Sequence, residues 1–306
     1  YFAAATLMNP QRFFDTAAIY ALFRVADDYV DNFYKSKTRY EKLSKFEENF
    51  WKCFHSKKGD YDLHPIFPAV IETIIRLEYS SSLFETFFQS MHMDVNKNVC
   101  KTFKDTQYYM EGSAAVIGDF MLPILLPNGD GYKNKYNKWS KAAPHARDLG
   151  RAFQLTNMIR DIDEDLAMRR QYIPQELCRK HRVDIQKRNY KQRGWANMIE
   201  EMFKYTNDCY NSADIGIAML GDDIRDVIKL ARNMYHQIHD KIRKNNYNVF
   251  DGKIRVSFYE KIKIASQQLS YTSLLRIMSV EMLALLCWNA QTICGLRFSP
   301  SGLMPS

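Results

Sequence analysis

Residues 149–174 read LGRAFQLTNMIRDIDEDLAMRRQYIP. Leu155, Ile159, Ile162 and Leu166 recur at helical spacing, which predicts a helix with one apolar stripe. On it Asp161 and Asp165 stand four residues apart, on one face and about 6 Å from each other. Like charges at that spacing destabilise a helix by roughly 0.2–0.5 kcal/mol. The pattern recurs in Arg24-Val25-Ala26-Asp27-Asp28-Tyr29-Val30-Asp31, where Asp27 and Asp31 form a second pair. One such pair is most simply a solvated acidic face. Two of them, each in an otherwise apolar helix of a chain with net charge +8, pose a charge problem that a cation solves. Mg²⁺ prefers carboxylate oxygens together with water and phosphate oxygens, so Asp27, Asp28, Asp31, Asp161 and Asp165 are candidate ligands for a metal-held diphosphate. Arg24 and Arg160 flank the clusters, and Arg169 and Arg170 follow the second. Their guanidinium forks suit phosphate oxygens.

The rest of the sequence predicts an all-α protein. Of 306 residues 46% are apolar, while only 12 are Gly and 9 are Pro, too few for an all-β fold with a turn every ten residues. Asn9-Pro10 predicts a helix start, with Asn9 as N-cap. Helices are expected at 10–34, 66–78, 80–96, 104–125, 144–168, 195–220, 221–246 and 257–293, with turns at 55–60 and 126–131. Without repeats or a composition shift, residues 1–306 read as one helical domain. The chain opens on Tyr1 rather than Met, so a portion preceding it is expected.

Six scattered cysteines suggest neither a disulfide framework nor a zinc module and fit a reducing compartment, cytoplasm or plastid. Cys287 and Cys294 read as inert core thiols, and His236 and His239 as helix-surface residues. No run of eighteen apolar residues occurs, so 274–294 reads as a buried helix rather than a membrane span. The basic runs 179–182 and 187–193 lack any nucleic-acid module around them. Attraction to anionic lipid headgroups explains them more economically, which makes peripheral membrane association the expected alternative to a freely soluble chain.

Residues 1–31 and 149–174 resemble the two aspartate-rich motifs of the squalene/phytoene synthase family, the second including Gln154, Asn157, Arg160, Asp161, Asp165, Arg170, Tyr172 and Pro174. Weaker similarity runs through Met91-His92-Met93-Asp94, residues 109–118, and residues 213–216 to 246–250. The resemblance implies an all-α isoprenoid (terpenoid) synthase fold around a central apolar cavity. It implies Mg²⁺, or Mn²⁺, held by Asp27, Asp31, Asp161 and Asp165. It further implies prenyl diphosphates bound with the help of Arg24, Tyr109, Gln154, Asn157, Arg160, Arg170 and Tyr172. Phe23, Tyr109, Phe120 and Phe153 are candidates for the cavity wall.

The implied reaction is head-to-head condensation of two prenyl diphosphates through a cyclopropylcarbinyl diphosphate. Tyr-Ile-Pro at 172–174 and Asn-Tyr-Asn-Val-Phe at 246–250 resemble the phytoene and dehydrosqualene branch, so NADPH is not expected. Three features depart from the family pattern: Glu111 and Asp119 in the middle motif, and Arg169 where Gly is frequent. A terpene cyclase or one-substrate prenyltransferase is the alternative enzyme, favoured if Glu111 and Asp119 face the cavity. A non-catalytic assembly factor ranks below both, because both motifs are intact.

Overall fold

The structure, a computed structural model, describes residues 9–31, 36–95, 99–126 and 132–268. Residues 1–8, 32–35, 96–98, 127–131 and 269–306 lie outside them, and with them the predicted helical stretch 269–293, Cys287 and Cys294. No strand occurs among the described residues, only an isolated bridge between Val99 and Gln171. No helix among them is long and apolar enough to cross a membrane.

Helix α1 (Pro10–Asp31) starts as predicted, with the Asn9 side chain accepting the Arg12 N–H at 2.9 Å. Helix α2 (Ser36–Ser56) has no counterpart among the predicted helices. Its apolar stripe of Leu43, Phe46, Phe50 and Cys53 is narrow within a charged segment, yet all four are buried. Helices α3 (Phe67–Leu77) and α4 (Ser81–Val95) match prediction. The predicted helix 104–125 is three pieces: α5 (Phe103–Met110), a π-helical turn (Glu111–Ala115) and α6 (Val116–Leu125). Small residues permit the turn to sit against its neighbours. A Cβ at Gly112 would lie 2.4 Å from the Thr86 carbonyl oxygen, and one at Gly150 would lie 2.2 Å from that of Ala114.

Helix α7 (Tyr132–Arg160) begins twelve residues before its predicted start at 144 and runs through Pro144. Pro144 is exposed, and a long helix tolerates the one lost ladder bond. Asp161 interrupts it (φ −100°, ψ 18°) before α8 (Ile162–Ala167). Helix α9 (Gln175–His181) and a 3₁₀ turn (Ile185–Lys187) give local order to the basic segment. Helices α10 (Trp195–Ala218) and α11 (Asp222–Lys244) follow prediction closely, and α12 (Phe258–Gln268) opens the last predicted helix.

The apolar stripes assemble two principal cores. The first joins α1 through Ile19, Leu22, Ala26 and Val30 to Phe46 and Phe50 of α2, Phe67 of α3, Phe87 and Phe88 of α4, and Phe120 of α6. The second joins Leu155, Met158 and Ile159 of α7 to Met198, Ile199, Met202 and Phe203 of α10 and to Ile238 and Ile242 of α11. Each core therefore carries one acidic motif, and the joint between them is where the motifs meet.

The histidines correct the prediction. His239 is fully buried, with Nε2 3.0 Å from Thr156 Oγ1 and its ring stacked on Phe203, and His236 reaches Asn207 at 3.0 Å. Position 239 falls within the apolar stripe of Tyr235, Ile238 and Ile242, so the core claims it.

Candidate active site at the joint between the two cores

The second motif ends in a turn that aims Arg170. The Arg170 N–H donates to the Asp165 carbonyl at 2.8 Å and the Arg169 N–H to that of Leu166 at 3.1 Å, with Arg169 left-handed at φ 61°. This is a Schellman cap, whose left-handed position favours Gly, which accounts for the glycine common there in the family Arg169 departs from. The cap sends the Arg170 side chain, 6% exposed, across the joint. Its Nη1 donates to Asp31 Oδ1 at 2.8 Å and its Nη2 to the Val30 carbonyl at 3.4 Å.

Around this link the carboxyl groups crowd. Burial, then the charge of Asp31, pushes Asp27 up to about 6. Burial and the charge of Asp161 push Asp165 up to about 8, against the lowering influence of Arg170. Asp161 is held by Arg160, Nε at 2.7 Å and Nη2 at 2.5 Å, and by Lys253 Nζ at 3.3 Å; Lys253 also reaches Glu164 at 2.7 Å. Gln154 and Asn157 are half-buried on the same α7 face, and Asn157 Oδ1 is buried without a hydrogen-bond partner among the described residues.

Other predicted residues lie further out or point elsewhere. Asp28 is 51% exposed and pairs with Arg24 at 2.7 Å, while Arg24 also approaches Asp27 at 3.4 Å. Tyr109 and Tyr172 are buried, and both hydroxyls donate to Asp94, at 2.8 and 2.7 Å. Phe120 packs on Phe23, Tyr79 and Phe84 within the first core, and Phe153 on Tyr235 and Tyr210 beside the second. Glu111 and Asp119 are claimed by α7: Arg147 binds both and Arg151 meets Glu111 at 2.6 Å. That network gives them a structural role and withdraws the feature that would favour a cyclase.

No three His, Cys, Asp or Glu side chains among the described residues converge closely enough to hold a metal ion; Asp31 pairs with Arg170, and Asp161 with Arg160 and Lys253. The donor set nonetheless suits a hard cation. It is all oxygen, it is short of positive charge by the evidence of Asp27 and Asp165, and it includes an orphaned amide oxygen at Asn157.

Two residues of this site carry no role in the sequence analysis. Asp94 left a readable signal, an acid at a core-facing position among Phe87, Phe88, Met91 and Val95 of α4. Lys253 left none, since it sits in a loop 89 residues beyond Glu164.

The profile of the squalene/phytoene synthase family matches residues 1–260. Phytoene synthase of Arthrospira platensis is 28% identical over 254 residues, covering 80% of each chain. The 15-cis-phytoene synthase of Synechococcus elongatus is 26% identical over 260 residues with the same coverage. A chloroplastic phytoene synthase of an Oncidium hybrid cultivar is 28% identical over 267 residues, 86% of this chain and 62% of the relative. Among solved structures, a ligand-bound dehydrosqualene synthase superposes with TM-score 0.74 at 23% identity, covering 88% of this chain and 90% of that one. A squalene synthase from Alicyclobacillus acidocaldarius gives 0.69 at 22%, covering 80% and 88%. The fold is the all-α isoprenoid synthase fold.

Proposed function

The chain belongs to the squalene/phytoene synthase family and is a prenyltransferase of the head-to-head type, and from that premise we propose that it joins two geranylgeranyl diphosphates into phytoene through a cyclopropylcarbinyl diphosphate. Two diphosphates and two protons leave for each product formed, and no nicotinamide reductant takes part. The observation that carries the reading is the Arg170–Asp31 ion pair, which ties the end of the second acidic motif to the first across the joint.

Asp27, Asp31, Asp161 and Asp165 would hold Mg²⁺, or Mn²⁺ in its place, with Asn157 beside them. The metal would supply positive charge to the departing diphosphate. Arg160, Arg170 and Lys253 hold these carboxylates now and are the cations available to phosphate oxygens when substrate enters. Arg24 lies at the outer edge of the same cluster. Asp28, turned outward to Arg24, receives no ligand role. The hydroxyls of Tyr109 and Tyr172 are committed to Asp94, so these residues offer a substrate their rings rather than a hydrogen-bond donor.

The test is incubation of the purified chain with Mg²⁺ and geranylgeranyl, farnesyl or geranyl diphosphate, with and without NADPH, followed by mass spectrometry of the organic phase. A C40 hydrocarbon formed equally well without NADPH is the expected result. A C30 hydrocarbon would move the substrate to farnesyl diphosphate, and a cyclic product from one substrate would overturn the head-to-head reading.

A further inference from the structure

Asp94 lies near the end of α4 and is 6% exposed. Both its oxygens are in use: Oδ1 accepts the Tyr172 hydroxyl at 2.7 Å and Oδ2 that of Tyr109 at 2.8 Å. The two rings stack, with centroids 4.5 Å apart and planes at 23°. An acid there is costly in a helix whose neighbouring inward positions are Phe87, Phe88, Met91 and Val95. A buried carboxyl is tolerated only where hydrogen bonds satisfy it, as the two hydroxyls do here.

What that acid holds is the segment that links the motifs. Tyr172 is fixed at both ends, its hydroxyl by Asp94 and its carbonyl by Thr106 Oγ1 at 2.9 Å. Between them Gln171 forms the bridge to Val99, and its carbonyl accepts the Cys100 N–H at 2.9 Å. In an extended segment residues i and i+2 point to the same side, so the direction of Tyr172 sets that of Arg170. Arg170 then meets Asp31 of α1, while α4 and α1 share the first core. We propose that Asp94 is a positioning residue, setting the second acidic motif against the first by holding Tyr172 and, through it, the Arg170 segment.

The inference rests on the functional reading for what the two motifs bind, but its test does not depend on turnover. In the full-length chain, Asp94→Asn, Asp94→Leu, Tyr172→Phe and the Asp94→Asn/Tyr172→Phe double variant are compared by Mn²⁺ titration followed by electron paramagnetic resonance. Thermal unfolding in chelator is measured alongside. Supporting residues of metal sites change affinity by about 10- to 100-fold when removed. Asp94→Leu leaves the buried Tyr109 and Tyr172 hydroxyls without their acceptor and is expected to unfold lower than wild type, while both Asp94 variants bind Mn²⁺ at least about tenfold more weakly. Asp94→Asn covers the case in which Leu does not fold.

Where turnover is measured, the Mg²⁺ concentration for half-maximal rate rises in the same variants, which a merely structural role would not produce. The double variant is expected to be no worse than the poorer single one, since both break one link. Mn²⁺ affinity within twofold of wild type in both Asp94 variants, or fully additive losses, overturns the proposal. A wild-type chain that turns over no prenyl diphosphate would sink the functional reading alone, because the Mn²⁺ titration still tests Asp94.

Discussion

Arg170→Met removes a buried cation at the joint while keeping an unbranched side chain in its place. The guanidinium is 6% exposed, donates to Asp31 and to the Val30 carbonyl, and holds down the carboxyls of Asp94 and Asp165. Stripping one partner from a buried pair costs about 3–5 kcal/mol. The low end applies, because Asp31 remains 44% exposed and water compensates part of its charge. At about 2 °C per kcal/mol for a chain of this size, the melting temperature should fall by about 6 °C at alkaline pH.

The pH dependence fixes the cause. Asp94 stands at about 6 and Asp165 at about 8 in the fold, both above the ordinary aspartate value of 3.8. The stability such raised groups contribute is fully present below the unfolded value and lost as pH rises through the folded one. Without Arg170 both rise further, so the deficit of the variant should be largest near pH 9 and shrink toward pH 5, where both are protonated. Thermal unfolding followed by circular dichroism in chelator at pH 5, 7 and 9 measures this. An equal deficit at all three values, or none at pH 9, would refute the assignment of Arg170 as the counter-charge of the joint.

Asp27→Ala and Asp161→Ala should each lower turnover by about a thousandfold or more with far-ultraviolet circular dichroism unchanged; activity within tenfold of wild type in either would remove it from the ligand set. Gly150→Ala places a Cβ 2.2 Å from the Ala114 carbonyl oxygen, and such overpacking costs about 1–3 kcal/mol, to be read as a lower urea midpoint. His239 is held neutral by burial, its value lowered to about 3. The stability it leaves intact above pH 6.5 is lost as pH falls toward 3, by up to about 1.4 kcal/mol per unit and about 2 kcal/mol at pH 5. His239→Gln should flatten that slope in urea titrations at pH 5 and 7, and equal slopes for both proteins would contradict it.

What sequence shows of this fold is what repeats along one helix. Asp161 and Asp165 were legible because the apolar period of Leu155, Ile159 and Ile162 sets their face without knowledge of any partner. Helix α2 escaped because its charged residues dilute a stripe that only the aromatic side chains of α3 and α4 complete. His239 misled because polarity suggested surface, while position within the stripe of α11 decided burial; His236 is half-buried. Glu111 and Asp119 left their meaning open until Arg147 and Arg151, 28 to 40 residues on, closed over them.

The joint obeys a different logic from the cores it connects. Each core is stabilised by apolar burial within a few neighbouring helices. Directional polar contacts cross the joint as well, Arg170 to Asp31 and Tyr172 to Asp94. Such contacts add little net stability but are directional, because a misplaced buried donor or acceptor costs more than a made bond returns. The same geometry raises the carboxyls of Asp27, Asp94 and Asp165, a cost to the folded chain at neutral pH that a cation entering the joint would offset. The acids at the joint thus weaken the fold at the one place where weakness toward positive charge is useful, and the cost is borne by two apolar cores that the charges do not reach.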